Sequence, residues 1–221
     1  MKRFIVICGT LLVFPWLASA SPTLISGTPN YFGAGLTPAF GHLINFDDLA
    51  TEVGNAGGFW QLPAVQYAPQ GVASITNSPS ATPLYAALFS QQSGPVYLTT
   101  GPNDKYAGDI TIKLSSLVNA IGIGVSSDNS TPVILKALGA TGNVLASFTV
   151  TTSSMSSTPA NGYWAIRDSS SDLKGIEIIS AKNLGIDDLQ FAPEPSGFSM
   201  LVAGAALAGL ALLRRKRQGS N

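Results

Sequence analysis

Between Ser21 and Ala192, apolar side chains recur at every second position over short stretches. Ile110, Ile112 and Leu114 share one face, with Thr111 and Lys113 opposite, and Val144, Ala146, Phe148 and Val150 repeat the pattern. A period of two predicts half-buried strands, because successive strand residues point to opposite faces. Strands are expected at His42–Phe46, Gly71–Thr76, Leu84–Phe89, Val96–Thr99, Asp109–Leu114, Ala120–Val125, Val133–Ala137, Val144–Val150, Tyr163–Ile166, Gly175–Ser180 and Gly185–Phe191. Ala140-Thr141-Gly142-Asn143 reads as a hairpin turn. The loops Thr76–Pro83 and Thr151–Asn161 are rich in Ser, Thr and Pro. No long stretch shows the period of an amphipathic helix. Many short strands between turn signals predict an all-β fold, a jelly-roll-like β-sandwich covering residues 21–192.

The two ends break this pattern. Residues 1–20 begin with Lys2 and Arg3, continue as an apolar run from Phe4 to Leu17, and finish on the small residues Ala18-Ser19-Ala20. That order is the one a secretory signal peptide needs, with cleavage before Ser21. At the other end, Gly197–Leu213 has no charged side chain. At a helical rise of about 1.5 Å, its 17 residues span about 26 Å, the short end for a transmembrane helix. Its Ala and Gly content makes it a marginal anchor. The basic stop-transfer cluster Arg214, Arg215, Lys216 and Arg217 follows and marks the cytoplasmic side. Both ends place the body outside the cytoplasm.

Charge changes the picture next. The whole chain is neutral, but its cations gather at the ends. From Ser21 to Ala192 there are six basic and eleven acidic residues, a net charge of −5. An acidic body without a basic stripe argues against nucleic acid as a partner. The one cysteine, Cys8, lies inside the signal segment. The mature body therefore has no disulfide, thiol nucleophile or thiolate metal site.

Pro193-Glu194-Pro195, the short apolar helix and the basic cluster resemble the PEP-CTERM sorting signal of Gram-negative bacteria, here residues 193–217. The same segment is elsewhere described as an ice-binding protein C-terminal domain. The resemblance implies that an exosortase, a membrane-embedded cysteine peptidase, recognises Pro193, Glu194 and Pro195 and cleaves nearby. With signal peptidase acting at the other end, the protein would pass from the inner membrane, its ectodomain periplasmic, to the cell surface or the medium. Contact with the membrane would be transient. Exopolysaccharide is the partner such a setting implies. The two prolines favour an extended, accessible backbone.

One motif occurs twice: Phe46-Asp47-Asp48-Leu49 and Ile186-Asp187-Asp188-Leu189. In a regular strand the apolar members of each motif would face opposite sides. If both face the core, each strand must bulge or end at its aspartates. Asp47, Asp48, Asp187 and Asp188 are suitable ligands for one structural calcium, the only cofactor expected; the competing reading is two solvated turns. The closing GIDDLQF resembles the last strand of carbohydrate-binding jelly rolls. That resemblance implies first and last strands meeting at such a calcium. The order INFDDL, Tyr67, Gly71-Val72 and GIDDLQF resembles the ectodomain of many PEP-CTERM proteins.

Catalytic chemistry is thin. His42 is the only histidine, and no nucleophile elbow or metal-binding helix motif is present. Gly33-Ala34-Gly35 lacks the third glycine of a phosphate loop. A glycosidase would need two acids, but among the eleven only the repeated Asp pairs stand out, and their repetition at the two ends of the domain reads as structural. Two aromatic pairs, Phe59-Trp60 and Tyr163-Trp164, follow flexible turns, so Trp60 and Trp164 are candidate carbohydrate contacts. Because neighbouring strand residues point apart, at least one ring of each pair is expected in the core. No regular threonine array supports ice binding. The sequence is therefore read as an exported, non-enzymatic surface or matrix protein. A carbohydrate-binding module is the alternative, and a glycan hydrolase ranks last.

Overall fold

The computed structural model describes residues 21–26, 42–56, 59–64, 66–78, 82–88, 96–101, 108–152 and 162–193. The expected signal peptide, the transmembrane helix 197–213 and the basic cluster 214–217 lie outside the described residues. Among the described residues, no helix is long and apolar enough to cross a membrane.

The strands are β1 (Thr23–Ser26), β2 (His42–Ile44), β3 (Phe59–Gln61), β4 (Gln66–Tyr67), β5 (Ala73–Ser78), β6 (Tyr85–Leu88) and β7 (Val96–Thr99). They continue as β8 (Gly108–Ser127), β9 (Val133–Leu138), β10 (Val144–Val150), β11 (Tyr163–Arg167), β12 (Leu173–Ser180) and β13 (Leu184–Pro193). The pairings are antiparallel, as expected for an all-β domain with hairpin-type connections. One short helix, α1 (Ala50–Asn55), was not foreseen. It is under two turns long and buries only Val53.

The centre of the architecture is β8. Its first half lies between β12 and β5, with Ile112 opposite both Ile176 and Ile75. Its second half lies between β11 and β13, with Ile121 opposite Ile166 and Phe191. β12 leads on to β9 and β10, and β13 leads on to β7, β6 and β3. One strand thus feeds two layers of a β-sandwich-like fold.

The pattern predicted two strands here, broken between Leu114 and Ala120; the structure has one. The reason is a change of facing. Ile110, Ile112, Leu114 and Val118 enter the core at even positions, but Ile121, Ile123 and Val125 enter it at odd ones. A single extra residue must intervene. Ala192 pairs with Ala120 and Pro193 with Val118, which leaves Asn119 as that residue. Its carbonyl is not wasted, because it accepts the Asp168 amide at 2.9 Å.

The inward residues of both halves join one core with Ile75, Leu98, Leu135, Ile178 and Ile186. Each such side chain contributes about 1.5–3 kcal/mol by leaving water. Ile75→Ala, at a fully buried site, would cost about 2–5 kcal/mol. The β9–β10 hairpin turns where the pattern placed it: the Gly139 amide donates to the Asn143 carbonyl at 2.8 Å. Gly142 sits there at φ +82°, in the left-handed region that favours glycine.

Candidate functional site

The two Asp-Asp motifs lie on one strand pair. β2 runs antiparallel to the end of β13, with Ile44 opposite Leu189. β2 ends at Ile44, and Phe46 then takes a left-handed conformation at φ 60° before a 3-10 turn over Asp47–Leu49. In β13, the pairing with β8 shifts between Asp187 and Gln190, and Asp188 is left-handed at φ 48°. One strand ends and the other bulges, so that Phe46, Leu49, Ile186 and Leu189 are all buried. The carboxylates are used by the protein itself. Asp47 accepts the Asn45 side-chain amide at 2.9 Å and the Val96 backbone amide at 3.4 Å, tying the turn to β7. Asp48 accepts the Tyr67 hydroxyl. Asp187 accepts the amide of Asp188 at 2.8 Å. Among the described residues, no three His, Cys, Asp or Glu side chains converge on a point that could hold a metal ion. Asp47, Asp48, Asp187 and Asp188 are therefore not gathered as one such group.

Asp187 and Asp188 are about as buried as core residues. Nearby Tyr163 has its pKa pushed well up, first by burial and then by the negative charge of Asp188. Tyr97 is pushed up in the same way, by burial and then by Asp128.

Each aromatic pair divides between two faces. Trp60 stands opposite Ala86, and both pack against the core. Trp164 stands opposite Ile123 and also packs against the core, with its indole Nε1 buried and without a hydrogen-bond partner. Both candidate sugar contacts are thus half-buried, with part of each ring packed against the core. Tyr163 points the other way and is still only 2 % exposed. Phe59 is half-exposed as well, on the face of β3 opposite to Trp60.

Phe59 shares its face with Gln61 and Tyr85, because Gln61 pairs directly with Tyr85 across β3 and β6. The Tyr85 hydroxyl donates to the Gln61 Oε1 at 3.1 Å, on the exposed side. Two half-exposed rings and an oriented amide therefore lie together on β3, at the end of the strand order, and its neighbour β6. Sequence reading missed Gln61 and Tyr85. The available signal was the alternation in Phe-Trp-Gln: if Trp60 points in, Phe59 and Gln61 must point out.

A second region lies at the Asn119 bulge. A cavity of about 380 Å³ is lined there by Ser21, Thr23, Asn119, Arg167, Ser169 and Ser171. Asp168 also lines it; it is 2 % exposed, and its carboxylate accepts bonds from Ser170 and the Asp172 amide. On the other side of the bulge, Lys113, Lys174 and the β9–β10 turn line a cavity of about 360 Å³. Lys174 Nζ donates to the Ser115 carbonyl at 2.7 Å.

Of the sorting motif, Pro193 closes β13, and Glu194 and Pro195 lie outside the described residues. The backbone of His42 pairs with Phe191 in β2.

No protein-family model matches the chain, and no curated protein is similar to it. Several solved structures are. CsCBM6-3 from Clostridium stercorarium, solved with cellobiose, is 16 % identical over 77 % of this chain and 100 % of its own, with a TM-score of 0.33. The C-terminal family 22 carbohydrate-binding module of Clostridium thermocellum Xyn10B is 14 % identical over 72 % of this chain and 96 % of its own, at a TM-score of 0.34. A DUF4465 family protein from Bacteroides caccae is 11 % identical over 82 % of this chain and 97 % of its own, at a TM-score of 0.37. At such scores and identities the likeness assigns no function.

Proposed function

We propose that the body is an exported carbohydrate-binding module, jelly-roll-like and without catalysis of its own. The observation that carries this reading is the platform on β3 and β6. Phe59 and Tyr85 are half-exposed rings, and the Gln61 amide between the strands is held by the Tyr85 hydroxyl. Ring faces bury the apolar C–H face of a sugar, and an oriented amide discriminates among hydroxyls. A neutral or weakly polar glycan suits such a site. Exopolysaccharide of the producing cell is the ligand class that the export signals bring within reach. A glycan array on the full chain tests this. Retention of a defined glycan that disappears in Phe59→Ala and Tyr85→Ala, but survives in a surface change such as Asn55→Ala, supports it. Retention unaffected by either ring change removes the platform from the account.

The second reading concerns delivery, and it is supported by the residues at the two ends. Signal peptidase would release the chain before Ser21, and an exosortase-type peptidase would act at Pro193, Glu194 and Pro195. Before that cut, residues 197–213 would hold the protein in the inner membrane with Arg214 to Arg217 inside. Intact mass and fractionation of the mature protein test this reading. A mature protein that still carries residues 197–217 sinks it.

A further inference from the structure

The two chain ends of the body leave from one end of the sandwich. Thr23 pairs with Arg167, and Arg167 pairs with Ala120 on β8. Pro193, at the other terminus, pairs with Val118. Both termini therefore emerge beside the Asn119 bulge. The platform of Phe59, Gln61 and Tyr85 lies at the opposite end, because Tyr85 aligns through Thr99 and Gly185 with Ser126. Along β8 that is a separation of roughly 23 Å.

Charge follows the same axis. Five cations and ten carboxylates are among the described residues. Three of those cations, Lys113, Arg167 and Lys174, line the two cavities that flank the bulge. Of the other two, Lys136 is paired with Glu177 at 2.9 Å, and Lys182 lies in the turn between β12 and β13, at the opposite end. The carboxylates near the bulge are Asp168, folded into its own loop, and Asp172. An acidic body thus turns three of its five described cations toward the end from which both membrane-directed segments depart.

We propose that this end, formed by Lys113, Arg167, Lys174 and the 140–142 turn, is the surface that rests on anionic lipid headgroups while the chain is membrane-held. Basic side chains close to a bilayer are attracted to its surface potential, and the attraction fades within a Debye length. Two tethers at one end bring these three cations within that range. The same geometry points the Phe59–Tyr85 platform away from the membrane. The proposal rests on the reading of residues 1–20 and 197–213 as membrane-directed.

The full chain, reconstituted through its tail, provides the test. Its only native cysteine is Cys8, so Cys8→Ser allows a single fluorophore at Ala140→Cys, by the bulge, or at Ala181→Cys, in the exposed turn between β12 and β13 at the far end. The vesicles carry a headgroup-attached quencher in phosphatidylcholine, with or without one part in three of phosphatidylglycerol. Quenching is expected at Ala140→Cys and not at Ala181→Cys, stronger with phosphatidylglycerol. It should weaken in about 1 M salt, where screening shortens to about 3 Å, and in the K113Q/R167Q/K174Q variant. Equal quenching at the two sites overturns the proposal. So does quenching that ignores lipid charge, salt and the variant, since the tethers alone would then set the orientation. Soluble polygalacturonate bound by the chain and lost in that variant, without lipid dependence, would reassign the end to an acidic polysaccharide. A chain that fails to float with either vesicle defeats the membrane reading itself, before orientation is measured.

Discussion

The Tyr67 hydroxyl donates to both carboxylate oxygens of Asp48, at 3.2 and 3.1 Å. Its ring packs on Phe46, with centroids 6.0 Å apart and planes tilted by 55°. Tyr67 on β4 thereby holds the turn that follows β2. The pair sits toward the surface, so its bond is worth less than a buried one. Tyr67→Phe should keep the ring contact and cost about 0.5–1.5 kcal/mol, whereas Tyr67→Ala should cost more by losing both. Urea unfolding of the two variants separates the contributions. Equal losses would mean that the hydroxyl does nothing.

High pH should destabilise this protein more than its composition suggests. Tyr67, Tyr97 and Tyr163 all have raised pKa values, in each case first because burial disfavours the phenolate. Asp48, Asp128 and Asp188 then oppose ionisation by charge. The neutral form is favoured in the folded state, so this stability is fully present below the unfolded tyrosine value of about 10. It falls progressively as pH rises above that value. Unfolding free energy measured from pH 8 to 11 should drop, and Tyr163→Phe should flatten part of the slope. A flat profile across that range would contradict the burial of these phenols.

The pattern of the chain made much of this legible. Val96–Thr99 and Val144–Val150 match the observed strands residue for residue, because strict alternation and flanking turns left no ambiguity. The bulge or break required at each Asp pair is also there, since two apolar residues three apart cannot both face inward on a regular strand. What escaped was of two kinds. β1, β3 and β4 are short, and the partners of β1 and β3 are remote in sequence, so local pattern does not register them. The continuity of β8 escaped because Ser115 and Ser116 look like a loop, whereas the Ser115 amide is held by the Val72 carbonyl at 2.9 Å. The site was less legible still. Large aromatic residues drew attention to Trp60 and Trp164, both half-buried against the core, whereas Phe59, Gln61 and Tyr85 have ordinary sequence surroundings.

Gly175 should tolerate no side chain. It pairs with Lys113 on β8 and with Leu138 on β9, in the middle of the sheet. A Cβ built there would lie 2.2 Å from the Ile112 carbonyl oxygen. That oxygen belongs to the backbone of the central strand and cannot swing aside as a flexible side chain would. Gly175→Ala is expected to cost about 1–3 kcal/mol or more through overpacking. Gly54→Ala, with open space around it on α1, should be neutral or slightly stabilising. Thermal melts of the pair give the comparison, and a harmless Gly175→Ala would mean that β8 and β12 can shift apart.

Asp109 should behave in the opposite sense to the usual folded-protein carboxylate. Its pKa is raised, first by desolvation and then by the charge of Glu177, while Lys136 offsets part of this. Lys136 is already engaged by Glu177 at 2.9 Å, which explains why it compensates only in part. A carboxylate whose folded pKa exceeds its unfolded one favours folding while protonated. Its contribution is present below the unfolded value of about 4 and is lost as pH rises through the folded value. At pH 7 the charged Asp109 therefore opposes folding. Asp109→Asn, which keeps the shape and removes the charge, should raise the melting temperature at pH 7. Near pH 3, where Asp109 is already protonated in both states, the gain should vanish. A drop in stability at pH 7 would show that the ionised carboxylate is a net asset to the outer face of β8, beside Glu177 and Lys136.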